Sequence, residues 1–268
     1  MQTQLKPRES PTHEPRDPHA SVCLDSVSRA YVDRRGRAVP ALADVSLRAA
    51  RGSVLAVVGP SGCGKTTLLE LICGLQRPDG GTIACEPAVL MPQRDLLLPW
   101  LNALENAVLA LRIAGAPRAQ ARARGAALFA ELGLGGFEQA RPHELSGGMR
   151  QRVAFVRTLL SGKPVLCLDE PFGALDAITR LEMQGWLTNA LAREPRTVVL
   201  VTHDVEEAIV LADRVAVLSP RPGRVAAELT VDLPRLPPSM AGPRSPTDPT
   251  VVALREQAMR TLAESRVA

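Results

Sequence analysis

Aromatic side chains are scarce, with one tyrosine, two tryptophans and four phenylalanines in 268 residues. The formal charge of +4 is a weak field for a chain of this length, and no basic run is interleaved with aromatics, so a nucleic-acid partner is not expected. Arg118, Arg122 and Arg124 read more simply as one solvated helix face. Long apolar runs are missing too. The longest reach five residues, as in Val54–Val58, against about 20 needed to cross a bilayer. The sequence opens Met-Gln-Thr-Gln-Leu-Lys-Pro with no apolar stretch after it, so no secretory signal is expected and the reading is a soluble protein kept inside the cell. The five cysteines form no Cys-x-x-Cys pair and the four histidines are scattered. Reduced thiols are therefore expected rather than a disulfide framework or a structural metal.

Length allows one large domain or two small ones, with ample chain for a core. Prolines crowd both ends. Four of the 23 lie in residues 1–20 and eight more between Pro220 and Pro249, so the first segment reads as a disordered tail. Val22-Cys23-Leu24 and Val45-Ser46-Leu47 read as antiparallel strands around an Arg34-Arg35-Gly36 turn. Val54–Val58 is a buried strand, and Thr66 to Leu75 follows as a helix. An alanine-rich helical stretch runs from about Arg94 to Leu160, with Asn102 and Glu105 as a capping box opening a helix that ends near Gly115. Pro117 suits the first position of the next helix, and a third begins at Ser146. Val165–Leu168 and Val198–Val201 restore the strand pattern. Val215–Leu218 and Arg224–Leu229 suggest a hairpin around Pro220-Arg221-Pro222-Gly223, and a last helix starts at Asp248-Pro249. Strands alternating with helices predict an α/β core with a mainly parallel sheet, interrupted by a helical insert.

Chemistry concentrates at strand ends. Gly59-Pro60-Ser61-Gly62-Cys63-Gly64-Lys65-Thr66, followed by Thr67, matches the phosphate-binding loop in its proper place between a strand and a helix. Glycines let successive N–H groups converge, and the helix adds its positive N-terminal end. Lys65 is suited to the β- and γ-phosphates and the Thr66 hydroxyl to Mg²⁺, so the chain is expected to bind a nucleoside triphosphate. Val165-Leu166-Cys167-Leu168 ends in Asp169 and Glu170. In a parallel sheet that end lies beside Thr66, where Asp169 suits Mg²⁺ and Glu170 suits a proton acceptor for the attacking water. The competing reading of this pair is a helix N-cap after a core strand. Ser146, Gly147 and Gly148 open a helix with bare N–H groups, a second anion site without a lysine. One full phosphate loop and one bare helix end suggest a ligand sandwiched between two copies.

With Leu145-Ser146-Gly147-Gly148 the sequence resembles the ABC transporter nucleotide-binding subunits, over roughly Val22 to Leu236. The resemblance implies a phosphate-loop ATPase cassette with an antiparallel β subdomain and an α-helical subdomain carrying that segment. Residues 1–20 would then be the tail, 21–236 the ATPase domain with its insert at about 94–162, and 237–268 a proline-rich linker and C-terminal helix. It places Tyr31 against adenine (the competing reading being a strand residue packed on the hairpin), Gln93 on Mg²⁺ and toward a membrane partner, Asp176 in a loop that speaks across a dimer, and His203 on the γ-phosphate. Leu96-Leu97-Leu98-Pro99-Trp100 and Pro171-Phe172-Gly173 look most like the nitrate, sulfonate and taurine importers, some of whose relatives serve thiamine-precursor pyrimidines. The Leu96–Trp100 run reads equally as a partner patch or as core packing. Three departures stand out: Met149 where many relatives have glutamine, Gly173 where serine is common, and a short Gly80–Gln93 stretch that implies a trimmed hairpin.

The resemblance therefore implies an ATP-hydrolysing importer subunit that binds ATP and Mg²⁺ and pairs with a second copy of itself. Its further partners would be separate transmembrane permease subunits and, indirectly, an extracytoplasmic solute-binding protein. Its place would be the cytoplasmic face of the inner membrane, as a peripheral protein. The competing classes are a soluble ABC-type ATPase outside transport and a nucleotide-dependent scaffold. The first tends to carry coiled-coil inserts or paired cassettes, neither visible here, and the second tends to lose a residue such as Glu170 or His203.

Overall fold

The structure, a computed structural model, describes residues 19–233 and 243–265. The tail expected over residues 1–20 lies outside the described residues up to residue 18, as does the linker through residue 242. Ala20 already belongs to the first strand.

Strands β1 (Ala20–Val32) and β2 (Ala38–Ala50) form an antiparallel hairpin. The turn stands where Arg34-Arg35-Gly36 placed it, closed by the Asp33 carboxylate accepting from the Arg35 and Arg37 amides at 2.8 and 2.9 Å. The strands are far longer than the short pieces expected. Irregularities keep them in register: Ser26 and Asp44 adopt φ of 50° and 54°, and their amides donate to the Ser46 and Ser28 hydroxyls at 2.9 Å. These side chains replace ladder bonds at the bulges, so the ribbon bends without ending.

Strand β3 (Val54–Val58) runs into helix α1 (Lys65–Ile72). The helix stops three residues before Leu75, with Gly74 at φ 67° just beyond it. Strand β4 (Gly80–Cys85) then adds to β1, giving the sheet order β2-β1-β4. Only Glu86 and Pro87 separate it from β5 (Ala88–Met91) in the second sheet, so the chain crosses directly between the sheets where the sequence suggested a trimmed hairpin.

The insert contains α2 (Ala103–Ala107), α3 (Leu109–Ile113), α4 (Arg118–Glu131) and α5 (Gly147–Leu159). The Asn102–Glu105 capping box is present. The helix expected to reach Gly115 is broken at Val108, whose φ and ψ are −89° and 5°. There α4 comes so close that a Cβ on Gly125 would lie 2.5 Å from Val108 Cγ1 and 2.7 Å from Leu104 Cδ1. Pro117 precedes the first turn of α4 rather than occupying it.

The chain continues through β6 (Val165–Asp169), α6 (Ala177–Arg193), β7 (Thr197–Thr202), α7 (Val205–Leu211), β8 (Arg214–Leu218), β9 (Val225–Thr230) and α8 (Pro249–Glu264). The β8–β9 hairpin and the Asp248-capped α8 stand where the sequence placed them. The second sheet has the order β5-β6-β7-β3-β8-β9, parallel except for β9. Its central strands are buried on both faces, as a covered parallel sheet requires. Ala56, Leu166, Leu168 and Leu200 face the helical insert, while Val57, Cys167, Val199 and Val201 face α1 and the antiparallel sheet.

Phe155 holds insert and sheet together. It is fully buried, and its ring lies 6.4 Å from that of Phe172 and 5.7 Å edge-on from that of Trp186. Phe155→Ala is expected to cost about 3–5 kcal/mol in denaturant unfolding, and a loss below about 1 kcal/mol would show that the insert is loosely attached.

Candidate functional site

Strand order assembles the site. Strands β5, β6, β7 and β3 are neighbours and point the same way, so the segments leaving their carboxyl ends lie side by side. Those segments carry Gln93, then Asp169 and Glu170, then His203, then the Gly59–Thr66 loop. A cavity of about 340 Å³ opens there, with Tyr31, Lys65, Thr66, Gln93, Asp169 and Glu170 on its wall.

The loop is shaped for an anion. Gly62 and Gly64 have φ of 78° and 102°, and a Cβ on Gly64 would sit 2.8 Å from the Ala41 carbonyl. No side chain caps α1, so its first-turn amides are not taken by a protein side chain. Ser61, Gly62, Gly64 and Thr67 reach the cavity, whereas Gly59, Pro60 and Cys63 do not line it. Lys65 is buried, its Nζ donating to the Gly59 and Pro60 carbonyls at 2.8 and 3.0 Å. Burial pushes the Cys63 thiol up, against the opposing charge of Lys65, so it is not a thiolate at neutral pH.

The carboxylates differ in setting. The Thr66 hydroxyl donates to Asp169 Oδ2 at 2.8 Å. Burial raises the Asp169 carboxyl above its ordinary value, Thr66 opposes this, and the Glu170 charge adds to it. A desolvated carboxylate beside a hydroxyl and an amide is a hard-oxygen set that gains from a cation. Glu170 sits at φ 47°, a strained setting for a residue other than glycine. Gln93 Nε2 donates to its Oε2 at 2.9 Å, and His203 Nδ1 lies 3.2 Å from Oε1. Neither acid caps a helix, because α6 is capped by Asp176, which accepts from the Thr179 amide. The N-cap reading of the pair therefore falls away.

Tyr31 projects from β1 onto α1. Its hydroxyl lies 3.1 Å from Thr67 Oγ1 and accepts from Gln76 Nε2 at 2.9 Å, and the Arg29 guanidinium stands 5.3 Å from its ring centre. Ser146 caps α5 by accepting from the Met149 amide at 3.2 Å. Ser146, Gly147, Gly148 and Asp176 do not line the cavity. They belong to a separate patch, where a Cβ on Gly148 would meet Leu175 Cδ2 at 3.3 Å.

Several side chains that the sequence did not single out brace this arrangement. Arg150 bonds Asp95 at 3.0 Å, and Arg157 donates to the Asp95 and Leu96 carbonyls at 2.7 and 3.0 Å. The segment after Gln93 is thus bolted to α5. Buried Asn106 receives the Leu98 amide and donates to the Leu98, Leu101 and Asn102 carbonyls. In the Leu96–Trp100 run, Leu97 is in the core at 9% exposure, whereas Leu96 and Trp100 stand out at 57% and 68%. Core packing therefore holds for Leu97, while Leu96 and Trp100 stay exposed. Arg221 also reaches the cavity wall, although its only sequence signal was a turn.

Comparisons with known proteins point the same way. The family profile described as ABC transporter matches residues 42–173. A taurine import ATP-binding protein (TauB) of Burkholderia pseudomallei is 43% identical over 225 residues, 81% of this chain and 86% of its own. An aliphatic sulfonates import ATP-binding protein (SsuB 1) of Rhodococcus jostii is 44% identical, covering 91% and 95%. A dimeric ATP-binding cassette in a post-hydrolysis state, bound to ADP and Pi, superposes with a TM-score of 0.73 at 28% identity, over 79% of this chain and 99% of that one.

Proposed function

The chain belongs to the ABC transporter ATPases, and on that premise we propose that it hydrolyses ATP in sites shared between two copies to drive uptake of a small solute through separate membrane permeases. The observation that carries this reading is the division of the site residues. Lys65, Thr66, Asp169, Glu170 and Gln93 share one cavity, while the α5 amino end at Ser146–Gly148 lies outside it. A second copy is what brings that helix end to the nucleotide. The dimeric cassette with ADP and Pi supports the arrangement.

In each shared site Lys65 and the loop amides take the phosphates, and Tyr31 takes the base. Thr66, Asp169 and Gln93 would hold Mg²⁺, which supplies charge neutralisation on the phosphates. Only a couple of carboxylates are at hand, as suits an ion bound largely through its nucleotide. Glu170 accepts the proton of the water that attacks the γ-phosphorus. The new P–O bond forms as the bond to the ADP oxygen breaks, and the proton then passes to the released phosphate. His203, within reach of Glu170, faces the γ-phosphate and fixes the carboxylate. Ser146 and Gly148 of the other copy donate to the same phosphate, so charge is stabilised only in the closed dimer. Loss of phosphate removes the contacts bridging the halves, and the dimer opens.

Among the described residues no helix is long and apolar enough to cross a membrane. Leu96 and Trp100 form an exposed apolar edge directly after Gln93, which supports the reading that a permease docks beside the catalytic machinery at the cytoplasmic face. The named relatives, import ATP-binding proteins for taurine and aliphatic sulfonates, support a sulfonate-like cargo such as taurine, and the reading includes a separate solute-binding protein that delivers it. Replacing both Leu96 and Trp100 by alanine, with Leu97 left in the core, is expected to lower ATP-driven uptake in vesicles at least about tenfold, as loss of an exposed tryptophan anchor does. Basal hydrolysis of the isolated chain should stay within about twofold. Normal uptake by the double variant would remove this edge from the permease interface.

A further inference from the structure

The loop between β8 and β9 does more than turn the chain. It is pressed against the nucleotide cavity: the Gly223 amide donates to the Ala41 carbonyl at 2.9 Å, and the Ala43 amide donates to the Gly223 carbonyl at 3.0 Å. A Cβ on Gly223 would lie 2.1 Å from the Cys63 carbonyl, so the loop touches the back of the phosphate loop with no room for a methyl group. Ser219 ties the turn internally, its Oγ donating to the Pro222 carbonyl and accepting from the Arg224 amide.

Arg221 extends from this docked loop along β2. Its Nε donates to the Pro40 carbonyl at 2.9 Å and its Nη2 to the Val39 carbonyl at 3.4 Å. These bonds fix where the guanidinium lies. Val39 is the register partner of Tyr31, whereas Ala41, two residues on, abuts Gly64 of the phosphate loop. Arg221 therefore stands between the aromatic that takes the base and the loop that takes the terminal phosphates. In a nucleotide, the ribose and α-phosphate fill that interval.

Its chemistry suits such a ligand. Among the described residues no carboxylate pairs with Arg221, and its side chain is exposed toward the cavity. A guanidinium has five N–H donors and keeps its charge at any physiological pH. The carbonyl bonds occupy only part of that set.

We propose that Arg221 is a further nucleotide-binding residue, its guanidinium taking the α-phosphate and ribose oxygens. The proposal rests on the nucleotide reading above and adds to it a contact on the part of the ligand that ATP and ADP share. It also assigns the β8–β9 loop a purpose: docking against Ala41 and Cys63 holds the cation at a fixed height over the cavity.

The test uses the full chain, with Kd for ATP and for ADP measured by calorimetry and turnover measured in parallel, in the wild type, Arg221→Ala, Arg221→Lys and the neighbouring Arg224→Ala. Arg221→Ala should weaken both nucleotides by the same factor, about tenfold for one lost charge-assisted contact. It should raise KM in step, leave kcat within about twofold and, because the bonds to the Pro40 and Val39 carbonyls are lost with it, lower the melting midpoint of the nucleotide-free protein by no more than about 5 °C. Arg221→Lys should recover part of the affinity, and Arg224→Ala should match the wild type. Unchanged affinity in Arg221→Ala overturns the proposal, as does a weakening accompanied by a fall in nucleotide-free melting of more than about 10 °C, which would make Arg221 chiefly a brace for β2. A wild type that binds neither nucleotide sinks the nucleotide reading itself, whereas tight wild-type binding with an indifferent Arg221→Ala sinks this proposal alone.

Discussion

Glu170→Gln is expected to slow phosphate release at saturating ATP by at least about 10²-fold, the scale of a lost general base, with ATP affinity kept within about threefold. The argument lies in the geometry. Glutamine has the same shape and still accepts a hydrogen bond, so the contact with Gln93 at 2.9 Å survives in one oxygen. It cannot accept the proton of the attacking water. Asp169, the neighbouring acid, is no substitute, because its Oδ2 is engaged by Thr66 and its carboxyl is buried. His203 reaches only the edge of Glu170, at 3.2 Å. Turnover within about twofold of wild type would reject Glu170 as the proton acceptor.

Ser146→Arg is expected to reduce turnover by a similar factor, about 10²-fold or more for a lost phosphate-stabilising group, for a different reason. Ser146 does not line the cavity of its own chain, so the Kd of the isolated chain for ATP should stay within about threefold. The hydroxyl also caps α5, and loss of that cap costs about 1 kcal/mol. A melting curve therefore accompanies the kinetics. A variant that melts only a few degrees lower yet has lost turnover shows that the helix end acts on a nucleotide rather than on the fold. If ATP affinity of the single chain collapsed with turnover, Ser146 would belong to the chain's own site, and the division of labour would be wrong.

What the sequence revealed follows from which interactions are local. The phosphate loop, the Asn102–Glu105 capping box and the Asp248-Pro249 helix start are set within a few residues, and each stands in the structure where it was read. Apolar strand runs ending in Asp169-Glu170 and Thr202-His203 sufficed to place those residues at strand ends, because a parallel sheet collects its carboxyl termini. Features set by distant partners were not legible. The break at Val108 comes from the close approach of Gly125, 17 positions along the chain. The length of β1 and β2 depends on Ser28 and Ser46 satisfying bulged amides across the ribbon. The Leu96–Trp100 run has one apolar pattern but two environments, because Arg157 and Asn106 bond its backbone so that Leu97 is buried while Leu96 and Trp100 stay exposed. Arg221 looked like part of a turn, since nothing in Pro-Arg-Pro-Gly shows that the turn docks on Cys63.

The shared site is most directly tested by mixing two inactive proteins. Lys65→Ala removes the phosphate lysine and Ser146→Arg removes the opposing helix end, so each homodimer has both of its sites damaged. Random pairing in an equal mixture gives mixed dimers in about half of all pairs, each with one intact and one doubly damaged site, and so a ceiling of about a quarter of wild-type turnover. The account predicts recovery toward that ceiling, far above the sum of the two variants measured alone. Turnover equal to that sum, in a mixture shown to exchange chains, would contradict it.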